Sequence, residues 1–195
     1  ADLIVIGGDI IDDNFTRVAY FAELFRSLKS RHGIYTVAGN HDYYQNIRSF
    51  TQFCEAANFI TLMNRNSKVT EGITVVGVTD PTALSMNIDA PNVEKAYQGA
   101  DASSYIIFVS HQPLYYEEAL SKGADLLLSG HTHRGQIPPM NFLVKLRYKY
   151  AYGLRKIGQS YQYTTSGIST WGPSMRLFSD NEIVLFTLHS AQSDR

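Results

Sequence analysis

Short apolar runs recur along the chain, and several end in glycine or serine followed by a polar residue. Residues 3–8 run into Asp9, 34–39 into Asn40, 105–110 into His111 and 125–130 into His131, with His133 two positions further on. Runs of about four to six β-branched and aliphatic residues read as buried strands. Strands are predicted over 3–6, 34–38, 73–78, 105–109, 125–128, 161–165 and 183–188. Between them, Val18, Phe21, Ala22, Phe25 and Leu28 follow the i, i+3, i+4, i+7 spacing of a helix that Asn14 or Thr16 can cap. Ile47, Phe50, Cys54 and Ala57 repeat that spacing, and shorter helices are predicted over 92–98 and 117–120. Alternating strands and helices imply a largely parallel sheet with covered faces. The C-terminal third, richer in Gly, Tyr and Ser, reads as strands and long loops. Its segment 140–156 supports two readings: Lys145, Arg147 and Lys149 alternate as on a strand, while Leu143, Leu146, Tyr150 and Leu154 suit a helix.

At 195 residues the chain is long enough for one large domain over 1–195. Its apolar runs fall far short of the roughly 20 residues a membrane-spanning helix needs. Cys54 is the only cysteine, which excludes a disulfide framework and thiolate zinc sites, and it reads as buried filler on a helix face. The chain opens on Ala1-Asp2 without an initiator Met and enters a strand almost at once, as an excerpt of a longer protein would. The lack of a leader or anchor is therefore uninformative. Charge is unevenly spread. Between Asp125 and Asp180 lie Arg134, Lys145, Arg147, Lys149, Arg155, Lys156 and Arg176 and no acidic residue, so this segment carries +7 of a net −1 and the remainder −8. Such asymmetry points to an anionic partner for one face.

In an open α/β sheet, ligands collect beyond the carboxyl ends of the strands. An oxygen ligand or imidazole after each of several strands therefore reads as a metal site. The carboxylate of Asp9 can bridge two cations at about 2.0–2.2 Å each, with Gly8 leaving room for close backbone approach. Asp12 and Asp13 read as solvated or helix-capping. In Gly39-Asn40-His41-Asp42, Asn40 offers a neutral oxygen. His41 must point elsewhere, toward substrate, and Asp42 is expected to accept a hydrogen bond from its ring and raise its basicity. His111 gives one imidazole; His131 and His133, at i and i+2 in extended backbone, share a face and can hold adjacent ions. His32 and His189 lack such a setting.

These residues resemble the calcineurin-like metallophosphoesterases, whose signature runs Asp-x-His, Gly-Asp-x-x, Gly-Asn-His-Asp/Glu, His, Gly-His-x-His. Gly8-Asp9-Ile10-Ile11, Gly39-Asn40-His41-Asp42, His111 and Gly130-His131-Thr132-His133 match all but the first block. The run from Gly130 to Pro139, and Ser166 to Pro173 with Arg176 and Glu182, resemble one bacterial branch of that family, often membrane-associated. The resemblance implies a four-layer α/β/β/α sandwich, two mixed β-sheets flanked by helices. It implies one metal held by Asp9, Asn40, His111 and His131, and another that takes Asp9 and His133 from this sequence. The absent Asp-x-His, which belongs to an inner strand, is expected upstream. Two divalent transition ions, Mn²⁺ in preference to Fe²⁺ or Zn²⁺, would share a hydroxide that attacks a phosphodiester or pyrophosphate, with His41 and Asp42 as the catalytic side chains. The substrate is expected to be lipid-linked or nucleotide-linked, with 140–156 facing an anionic membrane; the charge balance does not favour nucleic acid. The competing reading is a non-catalytic scaffold of the same fold with a decayed metal site.

Overall fold

The computed structural model describes residues 1–190. Two sheets carry the fold. The smaller pairs β1 (Ile4–Ile6), β2 (Ile34–Thr36) and β3 (Ile60–Thr61) in parallel and in that order. The larger has the order β4 (Arg65–Thr70), β5 (Ile73–Gly77), β6 (Tyr105–Val109), β7 (Leu126–Ser129), β9 (Ser160–Thr164), β8 (Gly153–Ile157). It is parallel from β5 to β9 and antiparallel at both edges.

The two-residue period of a strand sorts its side chains into layers. Leu3, Val5, Tyr35 and Val37 of the smaller sheet meet Val75, Ile107, Val109 and Leu126 of the larger in one core between the sheets. Their neighbours Ile4, Ile6 and Ile34 turn the other way, onto Val18 and Phe25 of α1 (Phe15–Arg26) and Phe50 and Phe53 of α3 (Ile47–Ala56). On the far side Val76, Ile106, Phe108 and Leu127 pack on Val93 and Ala96 of α5 (Val93–Ala96) and Ala119 of α6 (Tyr116–Ser121). The layers run helix, sheet, sheet, helix, as the resemblance implies.

Several local expectations need correcting. Asn14 caps α1 by accepting from the Arg17 N–H at 3.3 Å, and Thr16 lies inside the helix. Phe21 and Leu28, predicted on the buried stripe, stand exposed. The predicted strand 183–188 pairs with no other strand among the described residues. Strands β4 and β8 escaped the pattern because they are edge strands with polar sequences, RNSKVT and GLRKI, and so form no apolar run. Segment 140–156 divides in two: α7 (Met140–Arg147) takes Leu143 and Leu146 of the helical reading, whereas Tyr150 lies past its end and Leu154 falls in β8, which begins at Gly153. The alternation of Lys145, Arg147 and Lys149 is thus incidental. Among the described residues, no helix is long and apolar enough to cross a membrane.

Candidate metal centre

Asp9, Asn40, His111 and His131 follow β1, β2, β6 and β7, whose carboxyl ends open at one end of the two sheets. Two glycines let those ends approach. A Cβ on Gly39 would lie 2.1 Å from Asp9 Oδ1, and one on Gly8, whose φ is +95°, would lie 2.7 Å from the Gly39 nitrogen. With both absent, the His41 N–H donates to Asp9 Oδ1 at 2.9 Å.

The ligand atoms converge tightly. His111 Nε2 stands 3.1 Å from Asp9 Oδ2, 3.1 Å from Asn40 Oδ1 and 3.2 Å from His131 Nδ1; His131 Nδ1 is 2.8 Å from Asn40 Oδ1. The other nitrogen of His111 lies 2.7 Å from the Gly7 carbonyl, which can only accept, so Nδ1 carries a proton there. A neutral His111 then offers Nε2 as a lone pair, facing a carboxylate oxygen, an amide oxygen and a second imidazole nitrogen. Without a metal, a proton on His111 relieves this crowding; a cation among the same donors would take that proton's place. Mixed nitrogen and oxygen donors without thiolate suit Mn²⁺, Fe²⁺ or Zn²⁺, so the residues fit a divalent transition ion.

The titration of these groups reflects the crowding. Burial opposes charge on His111, but Asp9 outweighs it and pushes the pKa up to about 9. Burial, helped by charge on His111, pushes His131 down to about 3. Burial would raise Asp9; its contacts with His111 and His41 hold it below the usual carboxylate range instead.

His133 lies apart from this cluster. It lines the same cleft, but its Nδ1 stands 3.1 Å from Arg176 Nη2. Burial, and then the Arg176 charge, lower its pKa.

The predicted partnership of His41 and Asp42 does not hold. His41 Nδ1 lies 2.8 Å from Asp12 Oδ1 instead. Asp42 is buried and accepts only backbone N–H groups: Asp9 and Gly39 at 2.8 Å on Oδ2, Ile10 at 3.0 Å and Ile11 at 3.1 Å on Oδ1. Burial raises its pKa to about 6 against the pull of those donors. The reason is helical geometry. Both residues lie on α2 (Asn40–Gln45), where successive side chains diverge by about 100°, so His41 faces the cleft while Asp42 turns inward. Asp12, read from sequence as solvated or capping, is the residue that reasoning missed. Its signal was a second carboxylate three residues after Asp9.

A cleft of about 250 Å³ opens over the cluster. Asp9, Asn40, His41, His131 and His133 line it on one side, and Met140, Val144, Tyr148 and Trp171 supply a largely apolar wall. Positions 140, 144 and 148 are four apart and mark one face of α7 and its C-terminal cap, a pattern legible in the sequence. The Tyr148 hydroxyl donates to Gln112 Oε1 at 2.8 Å, and its ring stands edge-on to His131.

Comparison with known proteins agrees with this geometry. An uncharacterised metallophosphoesterase of Helicobacter pylori is 37% identical over 189 residues, covering 96% of this chain and 51% of its own length. A Danio rerio transmembrane protein with metallophosphoesterase domain is 32% identical over 202 residues, covering 97% of this chain and 46% of its own. The chain spans about half the length of these relatives. A candidate 5'-nucleotidase from Staphylococcus aureus shares the fold, with a TM-score of 0.50 at 12% identity over 89% of this chain and 42% of that one. The family model of the calcineurin-like phosphoesterases matches residues 1–135, a stretch that includes every loop carrying a ligand atom described above. The chain belongs to the calcineurin-like phosphoesterase family.

Proposed function

We propose that this protein is a metal-dependent hydrolase of phosphodiester or pyrophosphate bonds, using one ion held by Asp9, Asn40, His111 and His131 and a second that reaches His133, with Mn²⁺ as the preferred metal. The observation that carries the reading is the convergence of four donor atoms beside a histidine that takes no part in that convergence. When bound, such ions supply hydroxide at neutral pH and draw charge from the phosphoryl oxygens.

The chain's own residues supply the rest. Asp12 accepts from Nδ1 of His41, which fixes the ring's orientation. His41 Nε2 is left to donate to the departing oxygen or to a phosphoryl oxygen. Asp42 gathers the N–H groups of both glycine-bounded loops and so holds Asp9 in place. An inert scaffold would have no use for the His41–Asp12 pair at the mouth of the cleft.

The apolar wall favours a phosphate that carries an apolar body, and lipid-linked phosphate fits best. Helix α7 buries none of its residues. Met140 and Val144 line the cleft, while Phe142, Leu143 and Leu146 stand exposed beside the cations Lys145 and Arg147. Apolar and cationic side chains together suit an anionic membrane surface.

The test is hydrolysis of bis(p-nitrophenyl) phosphate by the complete protein. Activity should vanish on chelation and return with Mn²⁺. His41→Asn should keep its metal content while kcat falls by roughly 10²–10⁴-fold, the usual weight of a positioned acid–base group. Undiminished turnover in that variant would remove His41 from the mechanism.

A further inference from the structure

Helix α7 supplies much of the apolar wall of the cleft, yet it buries none of its eight residues. A helix that short is not kept in place by its own backbone bonds. Contacts at its two ends hold it. The loop after β7, expected as extended backbone, turns left-handed at His131, His133 and Arg134, with φ of +65°, +48° and +53°, and leads into Gly135. A Cβ there would lie 2.1 Å from the Asn141 Cα and 2.2 Å from its nitrogen, so the first turn of α7 packs directly on the glycine.

The other end is held by Tyr148, the C-terminal cap, which is buried. Its hydroxyl meets Gln112 Oε1 at 2.8 Å, and the direction of that bond is set from behind. Asp80, 1% exposed, accepts from the Gln112 amide nitrogen on both oxygens, at 3.0 and 3.3 Å, and from the Thr82 N–H at 2.9 Å. A carboxylate only accepts, so the Gln112 nitrogen faces Asp80 and its oxygen faces the phenol, which must donate. The hydroxyl proton of Tyr148 is thereby committed to Gln112, and the residue serves the cleft as an aromatic surface.

Gln112 follows His111, and Gly135 lies two residues after His133, so the wall is fixed to the loops that carry those histidines. The fold thus sets the spacing between a phosphate at the donor atoms and the wall. Met140, Val144, Tyr148 and Trp171 bring no charge to that wall and suit methylene groups.

We propose that Tyr148 is a specificity-determining residue, that Gln112 is its positioning residue, and that the wall they anchor seats an alkyl chain esterified to the phosphate. The inference rests on the hydrolase reading given above for the phosphate site, while recognition of the chain is separable from turnover. Each methylene that leaves water for such a wall is worth about fourfold in affinity.

The measurement is calorimetric binding of methylphosphonate, hexylphosphonate and thymidine 5′-monophosphate to the complete protein with Mn²⁺. Thermal melting checks folding, and turnover of the methyl and hexyl esters of p-nitrophenyl phosphate is followed alongside. The parent should bind hexylphosphonate at least about tenfold more tightly than methylphosphonate. Tyr148→Phe, which keeps the ring and loses the hydroxyl, and Val144→Ser, which makes the wall polar, should each cut that preference by about 3–10-fold. Gln112→Leu should reproduce Tyr148→Phe, and the double variant should lose no more than either alone. A merely structural role would lower the melting temperature and leave the preference as it was. Should Tyr148→Phe or Gln112→Leu fail to fold, Val144→Ser decides. Equal affinity of the parent for both phosphonates, tighter binding of thymidine 5′-monophosphate, or a preference that every folded variant keeps overturns the proposal. The hydrolase reading then stands if the esters are turned over. A parent with the preference but without turnover of either ester overturns the hydrolase reading and leaves the wall. A parent that binds no phosphonate overturns both.

Discussion

At the scale of single residues, two carboxylates a short way from His41 do different work, and their neighbours show which does what. Asp42 has backbone donors on both oxygens and no exposed surface; Asp12 has an exposed side chain and one partner, His41. Asp42→Asn puts an amide NH₂ against backbone N–H groups whatever its orientation, and strands buried donors. Each stranded group costs about 1–3 kcal/mol, so urea denaturation should show a loss on the order of 2–4 kcal/mol. Asp12→Ala should change stability by no more than about 0.5 kcal/mol, yet lower kcat by about tenfold or more, since His41 loses the acceptor that orients it. The reverse pattern, a stable Asp42→Asn and an active Asp12→Ala, would return Asp42 to the catalytic role the sequence suggested. Asp9, Asn40, His111 and His131 were legible because each closes an apolar run, and the run itself fixes where its last residue ends up. The identity of the His41 partner was not legible, because it depends on the helical turn that begins at Asn40.

At the scale of elements, strands β1, β2, β5, β6 and β7 were legible because cover on both faces demands unbroken apolar sequence. The edges β4 and β8 lack that demand on one side and so lack the signal. Helix α7 is the element where function and legibility diverge most. One face gives Met140 and Val144 to the cleft, the other presents Phe142, Leu143 and Leu146 to solvent, and basic residues follow on to Lys156. Each Lys or Arg near an anionic bilayer contributes on the order of 1 kcal/mol. The protein should therefore co-sediment with vesicles rich in anionic lipid at low salt, less at high salt, and little with neutral vesicles. Neutralising Lys145, Arg147, Lys149, Arg155 and Lys156 together should abolish that binding while bis(p-nitrophenyl) phosphate hydrolysis continues. Binding that survives the neutralised variant, or is absent at low salt, ends the membrane reading.

At the scale of the whole molecule, the proposed metal ligands come from both sheets: Asp9 and Asn40 from loops of the smaller, His111 and His131 from loops of the larger. An ion bound among them ties together two layers otherwise joined by the core around Tyr35, Val75 and Ile107. Ligand bound only by the folded state stabilises it by about 2.7 kcal/mol at a hundredfold excess over Kd. Mn²⁺ at that excess should thus raise the melting temperature by roughly 5–10 °C for a domain of this size. Asn40→Ala and His111→Ala, one from each sheet, should each remove most of the gain. Binding without any shift in melting would mean that the unfolded chain holds the ion as well, against a site assembled by the fold. A different kind of consequence follows from the wall of the cleft. Its Trp171 is the chain's single tryptophan, it borders the cleft, and its backbone is held by Gln136. Indole emission from this chain is therefore a built-in optical signal of a single place, the point where residues 166–180, the loop after β7 and the cleft meet.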